Sequence, residues 1–281
     1  MAENTRRNPK RIPYGMMNFV NVRERDCYYV DKTRFIEKIE DSNMFFFFIR
    51  PRRFGKSLTM SMLQHYYDVN DADKFDMLYK GLYIGDHPTP EHNKYLVIYL
   101  NFAVVNAELN NYRKGLDAHC NNAFNYFCDV YAQYLPDGIK EEMNRKDGAV
   151  DQLDFLCTEC KKAGQKIYLF IDEYDHFTNK ILAEPGCLDD YRSETHGTGY
   201  LRNFFDTIKA GTYSSIERVF VTGVSPVTMD DLTSGFNIGT NYTLNYDFNE
   251  MVGFTEQEVR DMLTYYTDFC NLHDYTIDEL I

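Results

Sequence analysis

The sequence predicts an α/β fold, a three-layer P-loop NTPase sandwich with a mostly parallel sheet between helices, and three observations predict it. Strand-length apolar runs alternate with helix-length amphipathic stretches along the 281 residues, the pattern of crossovers joining parallel strands. One of those runs passes through RPRRFGKS (50–57) directly into a helical stretch, the setting a phosphate-binding loop requires. Another ends in Asp172 and Glu173, paired acids at the carboxyl end of a buried strand.

The elements follow in order. Residues 28–30 read as extended, and Asp31 precedes a helical stretch over 32–39 with Phe35, Ile36 and Ile39 on one face. The run 44–50 (MFFFFIR) is continuously apolar up to its last residue, which suits a strand buried on both sides. A helix over 57–67 places Leu58, Met62, Leu63 and Tyr66 at helical spacing. A second strand is expected at 96–102 (LVIYLNF), long helices at about 108–134 and 147–163, and a third strand at 166–171 (KIYLFI). A helix at 200–209 shares Leu201, Phe204, Phe205 and Ile208 on one face, and 218–222 (RVFVT) is a fourth strand. Thr255 and Glu258 form a capping box that opens a further helix with Val259, Met262, Leu263 and Tyr266 along one side. A second box, Thr276 with Glu279, lies two residues from the end, so the chain is expected to be a fragment cut early in a helical lid. The divisions expected are an N-terminal segment (1–40), an ATPase core (41–250) and the start of the lid (251–281).

Composition narrows the function classes. Hydrophobic residues at 44% supply a full core, and 30 Lys+Arg against 43 Asp+Glu leave a net charge of −13 that repels nucleic acid. The basic start (Arg6, Arg7, Lys10, Arg11) reads as a solvated tail. No run approaches the ~20 apolar residues of a membrane span, and the first twenty residues lack the apolar core of a signal peptide; a cytoplasmic protein is expected. The seven cysteines have no framework spacing. The Cys157–Cys160 pair, inside a helical pattern, reads as core packing rather than a metal or redox site.

The loop carries the chemistry. Gly55 lets backbone approach phosphate, and the amides of Arg52, Arg53, Phe54, Gly55, Lys56, Ser57 and Leu58 surround the expected anion site at a helix start. Lys56 is expected on the β- and γ-phosphates and Ser57 on magnesium. Arg50 stands where the usual G-x-x-x-x-G-K-[ST] pattern has its first glycine. Asp172 is expected to orient the metal through water, and Glu173 to activate the attacking water. Asp175 reads better as a cap of the following helix. Adjacent acids suit the additional-strand ATPases, in which another strand separates the loop strand from the acid strand; 218–222 is the natural filler, with Thr222 or Ser225 as the polar sensor. GTP is disfavoured, because NKIL (179–182) lacks the aspartate of the N-K-x-D guanine motif. Arg52, Arg53, Arg202 and Arg218 are all open as the arginine that completes the site.

The segments IPYG (12–15), YYVDKT (28–33), RPRRFGKSLTMSML (50–63), KGLYI (80–84), FIDEYDHF (170–177), RNFFDTIKAGT (202–212), 217–241 and GFTEQEV (253–259) together resemble the prokaryotic AAA-ATPase-like family. They span about 12–260. The resemblance implies an AAA-type core, residues 28–33 near the nucleotide base, and arginine in place of the first loop glycine as the family's habit. It also implies a nuclease-like domain of the PD-(D/E)XK type beyond Ile281. The cofactors expected are ATP and Mg²⁺ and the partner a nucleotide. A homo-oligomer lending an arginine, and nucleic acid bound through that further domain, are left open. The expected function is ATP binding with hydrolysis; the rival is a nucleotide-dependent switch with negligible turnover, serving a partner or a fused nuclease-like domain.

Overall fold

Among the described residues five strands form one sheet in the order β2-β3-β4-β1-β5, with every pairing parallel. They are β1 (Phe45–Ile49), β2 (Leu96–Asn101), β3 (Ile167–Asp172), β4 (Ile216–Gly223) and β5 (Gly239–Asn241). The computed structural model describes residues 8–105, 112–176, 179, 199–225, 239–270 and 276–281. Residues 108–111 of the predicted long helix, residues 180–182 of the NKIL segment, Phe177, Cys187, Arg6, Arg7 and most of the 217–241 motif lie outside them.

The order carries the fold class. β4 lies between β1, which feeds the loop, and β3, which ends in the acids, so the separating strand is the one the sequence indicates. Period-2 alternation then divides the side chains between two cores. Phe45, Phe47, Leu96, Ile98, Leu100, Ile167, Leu169, Ile171, Val219 and Val221 face one cluster, and Phe46, Phe48, Tyr168, Phe170 and Phe220 the other. Both faces of the central strands are thus covered, as parallel sheets require.

The helices that matter are α1 (Phe19–Glu24), α2 (Phe35–Glu40), α3 (Lys56–Tyr67), α4 (Tyr112–Val130), α5 (Gly148–Lys162), α6 (Tyr200–Gly211), α7 (Glu256–Cys270) and α8 (Ile277–Leu280). α1, α2 and α3 contribute to the second core; α4, α5 and α6 cover the first. Cys157 and Cys160 are buried within α5, and burial pushes the Cys157 thiol up to about 12, which keeps it protonated. No described helix is long and apolar enough to cross a membrane.

α7 opens as its sequence indicates: Glu258 N donates to Thr255 Oγ1 (3.2 Å) and Thr255 N to Glu258 Oε2 (2.8 Å). Its face is not left bare. Tyr265 and Tyr266 pack on the Tyr28 ring at 5.2 and 5.7 Å, and Tyr266 Oη donates to Lys10 O (2.7 Å). The N-terminal segment therefore serves as the partner of this helix.

Candidate nucleotide-binding site

β1 delivers the chain to the carboxyl edge of the sheet, where the loop turns into α3. Gly55 caps α3 with φ 88°, a left-handed conformation that costs glycine nothing, and a Cβ placed there would meet no atom within 4 Å. Glycine is needed for the turn, and open space lies before it. Arg53 also takes positive φ (68°), so two residues of the loop bend the backbone toward a nest of amides.

Arg50 explains the missing first glycine. Its guanidinium donates to Ile49 O (3.1 Å) and to Thr243 O, and lies 4.4 Å from the Phe48 ring centroid. The side chain folds back over the sheet face instead of entering the loop, so it ties the loop's first residue to the chain after β5.

Lys56 is buried, and its Nζ donates to Arg50 O (2.9 Å) and Pro51 O (3.1 Å). The ammonium sits across the loop's own carbonyls. Ser57 Oγ donates to Asp172 Oδ2 at 2.8 Å. Two positions 115 residues apart in sequence are thus joined at one point, the hydroxyl from the loop and the carboxylate from β3. Asp172 is 1% exposed; burial pushes its carboxyl up, against donors from Ser57 and the Glu173 amide (2.9 Å to Oδ1). Glu173 follows with φ 52°, which turns it out of the strand direction. Burial also raises its carboxyl, Asp172 and Asp175 add to the rise, and the charges of Lys56 and Arg52 oppose it.

The other residues fall out differently. Arg52, Arg53 and Phe54 are exposed, Leu58 is half-buried against the second core, and Phe54 O accepts from Gly253 N (2.8 Å) just before α7. Thr222 is fully buried and its hydroxyl donates to Phe48 O (2.7 Å) across the β1–β4 pairing. Asp175, read from sequence as a helix cap, accepts from Val224 N (3.0 Å) and Ser225 N (2.7 Å) and so ties down the segment after β4, while residues 177 and 178, whose amides a cap would engage, lie outside the described residues. Arg218 is at the wrong end of the sheet for an arginine finger. It sits near the start of β4 opposite Tyr168 and donates to Ile39 O and Glu40 O (3.1 and 2.7 Å), whereas the loop follows the strands' carboxyl ends. Arg202 is on the first turn of α6, 3.9 Å from Asp206.

A model of the family described as "Predicted AAA-ATPase" (AAA-ATPase_like) matches residues 13–233. The chain belongs to this family. An ATPase-like nucleotide-binding function comes with that membership. The AAA-ATPase-like chain is also 26% identical, over 253 residues, to an uncharacterized protein of the vnfD 5′ region in Azotobacter chroococcum mcd 1, covering 89% of this chain and 44% of that protein. It thus spans less than half the length of the curated relative it matches. A Walker-type ATPase of Pyrococcus abyssi aligns with a TM-score of 0.46 and 13% identity, over 97% of this chain and 63% of that one.

Sequence reasoning did not single out two side chains that stand beside Asp172. Tyr99 Oη donates to Asp172 Oδ2 (3.4 Å), and Asn101 Nδ2 donates to Tyr99 Oη (3.3 Å). The signal was present in LVIYLNF: polar groups at every second position near the end of an otherwise apolar strand.

Proposed function

We propose that this chain binds ATP with magnesium at residues 50–57 and hydrolyses it. The observation that carries the reading is the Ser57–Asp172 contact at 2.8 Å, a hydroxyl and a buried carboxylate meeting at the start of α3. The donor set suits Mg²⁺: both atoms are hard oxygens, and a single carboxylate with one hydroxyl leaves positions for phosphate oxygens and water. Bound there, the metal supplies charge neutralisation to the phosphates.

The protein's own groups do the rest. Lys56 exchanges the carbonyls of Arg50 and Pro51 for phosphate oxygens, a move that keeps its charge satisfied in both states. Ser57 would hold the cation through its hydroxyl oxygen, and Asp172, which accepts from that hydroxyl, would orient it through water. Glu173, turned out of β3 by its positive φ, accepts the proton of the attacking water. Its raised carboxyl is a better base than an ordinary glutamate once ionised. With Arg218 bracing α2, Arg52, Arg53 and Arg202 stay open among the arginines named from sequence, beside one lent by a neighbouring subunit.

Thermal denaturation with and without nucleotide tests the reading. Ligand at 100 times its dissociation constant adds ~2.7 kcal/mol, and melting rises by roughly 2–4 °C per kcal/mol in a domain of this size. Mg·ATP should raise the midpoint by several degrees, Mg·GTP by less, and Lys56→Ala should remove the shift. An unshifted midpoint at millimolar Mg·ATP refutes it.

A further inference from the structure

We infer that Tyr99 is a positioning residue for the metal-side carboxylate, held in its donor role by Asn101. The inference rests on the ATP reading above and extends it to an element, β2, that carries no loop or acid motif.

Among the described residues β2 is the outermost strand on the β3 side of the sheet, and Asn101 pairs directly with Asp172. Tyr99 lies two residues earlier on the same face, opposite Phe170. A tyrosine is long enough to reach diagonally to the next same-face residue of the neighbouring strand, and Tyr99 Oη arrives 3.4 Å from Asp172 Oδ2. The direction of every bond in this chain of contacts is determined. Ala103 N donates to Asn101 Oδ1 (2.9 Å), which leaves the Asn101 amide nitrogen facing Tyr99 Oη (3.3 Å). With its oxygen accepting from Asn101, the phenol has its proton to give, and Asp172 receives it.

In the structure Asp172 Oδ2 accepts from both Ser57 and Tyr99, and Oδ1 accepts from the Glu173 amide. Ser57 belongs to the loop, and its hydroxyl would keep its proton on Asp172 while giving an oxygen lone pair to a cation. Tyr99 approaches the same carboxylate oxygen from β2 of the sheet. Tyr99 therefore helps to fix the direction in which Asp172 presents its oxygens. Partners of this kind are typically worth about 10–100-fold in metal affinity.

Titration calorimetry with the β,γ-imido analogue of ATP, once with Mg²⁺ and once with EDTA, tests this on the wild type and on Tyr99→Phe. The ratio of the two affinities isolates the magnesium contribution. Tyr99→Phe should leave the EDTA affinity and the melting midpoint unchanged and lower the ratio about 10-fold. Asn101→Ala should lower it less, and the double variant no further than Tyr99→Phe alone. An unchanged ratio in Tyr99→Phe overturns the inference, as does an equal loss with Mg²⁺ and with EDTA, which marks a packing role. If the wild type binds no analogue in either condition, the ATP reading itself fails and takes this one with it. If it binds with Mg²⁺ and Tyr99→Phe matches it, only the role of Tyr99 falls.

Discussion

Replacing Lys32 by methionine should loosen α7 from the body of the protein without unfolding the sheet. Lys32 Nζ donates to both carboxylate oxygens of Glu258, at 2.5 and 2.7 Å, with side-chain exposures of 7% and 18%. Removing one member of a fully buried pair costs about 3–5 kcal/mol. Two features reduce that figure here. Glu258 Oε2 still accepts from Thr255 N (2.8 Å), and its residual exposure admits water. About 2 kcal/mol is then the expected loss, and at 1.36 kcal/mol per tenfold it raises the opening constant of α7 roughly 30-fold. Hydrogen exchange across residues 256–270 should accelerate by that factor, while amides of β1, β3 and β4 keep their protection. The pair also has a pH signature. Burial alone would push the Glu258 carboxyl up, but the hydrogen bonds from Lys32 and Thr255 hold it below the usual range. A depressed folded-state value means that the stabilisation is fully present above the unfolded glutamate value, ~4.3, and is lost as pH falls through the folded value. Between pH 7 and 5 the difference between wild type and Lys32→Met should stay constant, and it should shrink on further acidification. Unchanged exchange in α7, or a difference that grows toward acid, refutes the reasoning.

Glu173→Gln should retain nucleotide binding and lose about 10²–10⁴ in turnover, read as phosphate release, because the amide cannot accept a proton; turnover in the wild type should decline on the acid side from a higher pH than an ordinary glutamate gives, following its raised carboxyl. Thr222→Val should lower stability by about 1 kcal/mol, the net worth of one hydrogen bond, and leave turnover within a few-fold, because the hydroxyl is engaged by Phe48 O; a hundredfold loss of turnover at unchanged stability would instead mark Thr222 as the sensor.

The legible part of this protein was the part governed by periodicity. Phenylalanines at 45–48 announce a strand buried on both faces, and the position of β4 between β1 and β3 followed from the adjacency of Asp172 and Glu173. β5 was not legible, because its three residues, Gly239–Asn241, carry no alternation and become a strand only by pairing with Phe45–Phe47. The long-range contacts of Asp175 were not legible for a related reason. An acid after a strand suits a helix cap locally, and the amides of Val224 and Ser225 that it holds lie about fifty residues away. Arg218 could have been placed from sequence alone. It begins its strand, and in a parallel sheet the loops that bind ligand follow the opposite ends.

The scattered motifs acquire a common purpose once their contacts are followed. Asp31 of YYVDKT accepts from Thr33 N, Thr33 Oγ1 and Tyr83 N of KGLYI (2.8, 2.6 and 2.7 Å), and Thr33 Oγ1 accepts from Ile84 N (3.1 Å). The intervening Lys32 reaches Glu258 of GFTEQEV, and Gly253 of the same motif donates to Phe54 in the phosphate loop. Four segments distant in sequence are therefore linked by polar contacts that end on the loop. None of these residues touches Ser57 or Asp172, so their chemistry is that of holding α7 and the N-terminal segment against the loop. Such links are individually modest. The Lys32–Glu258 pair anchors the first turn of α7 to the segment before α2, and the Gly253–Phe54 hydrogen bond anchors the residues just before α7 to the loop beside Gly55, so the start of this helix is tied down at two independent points.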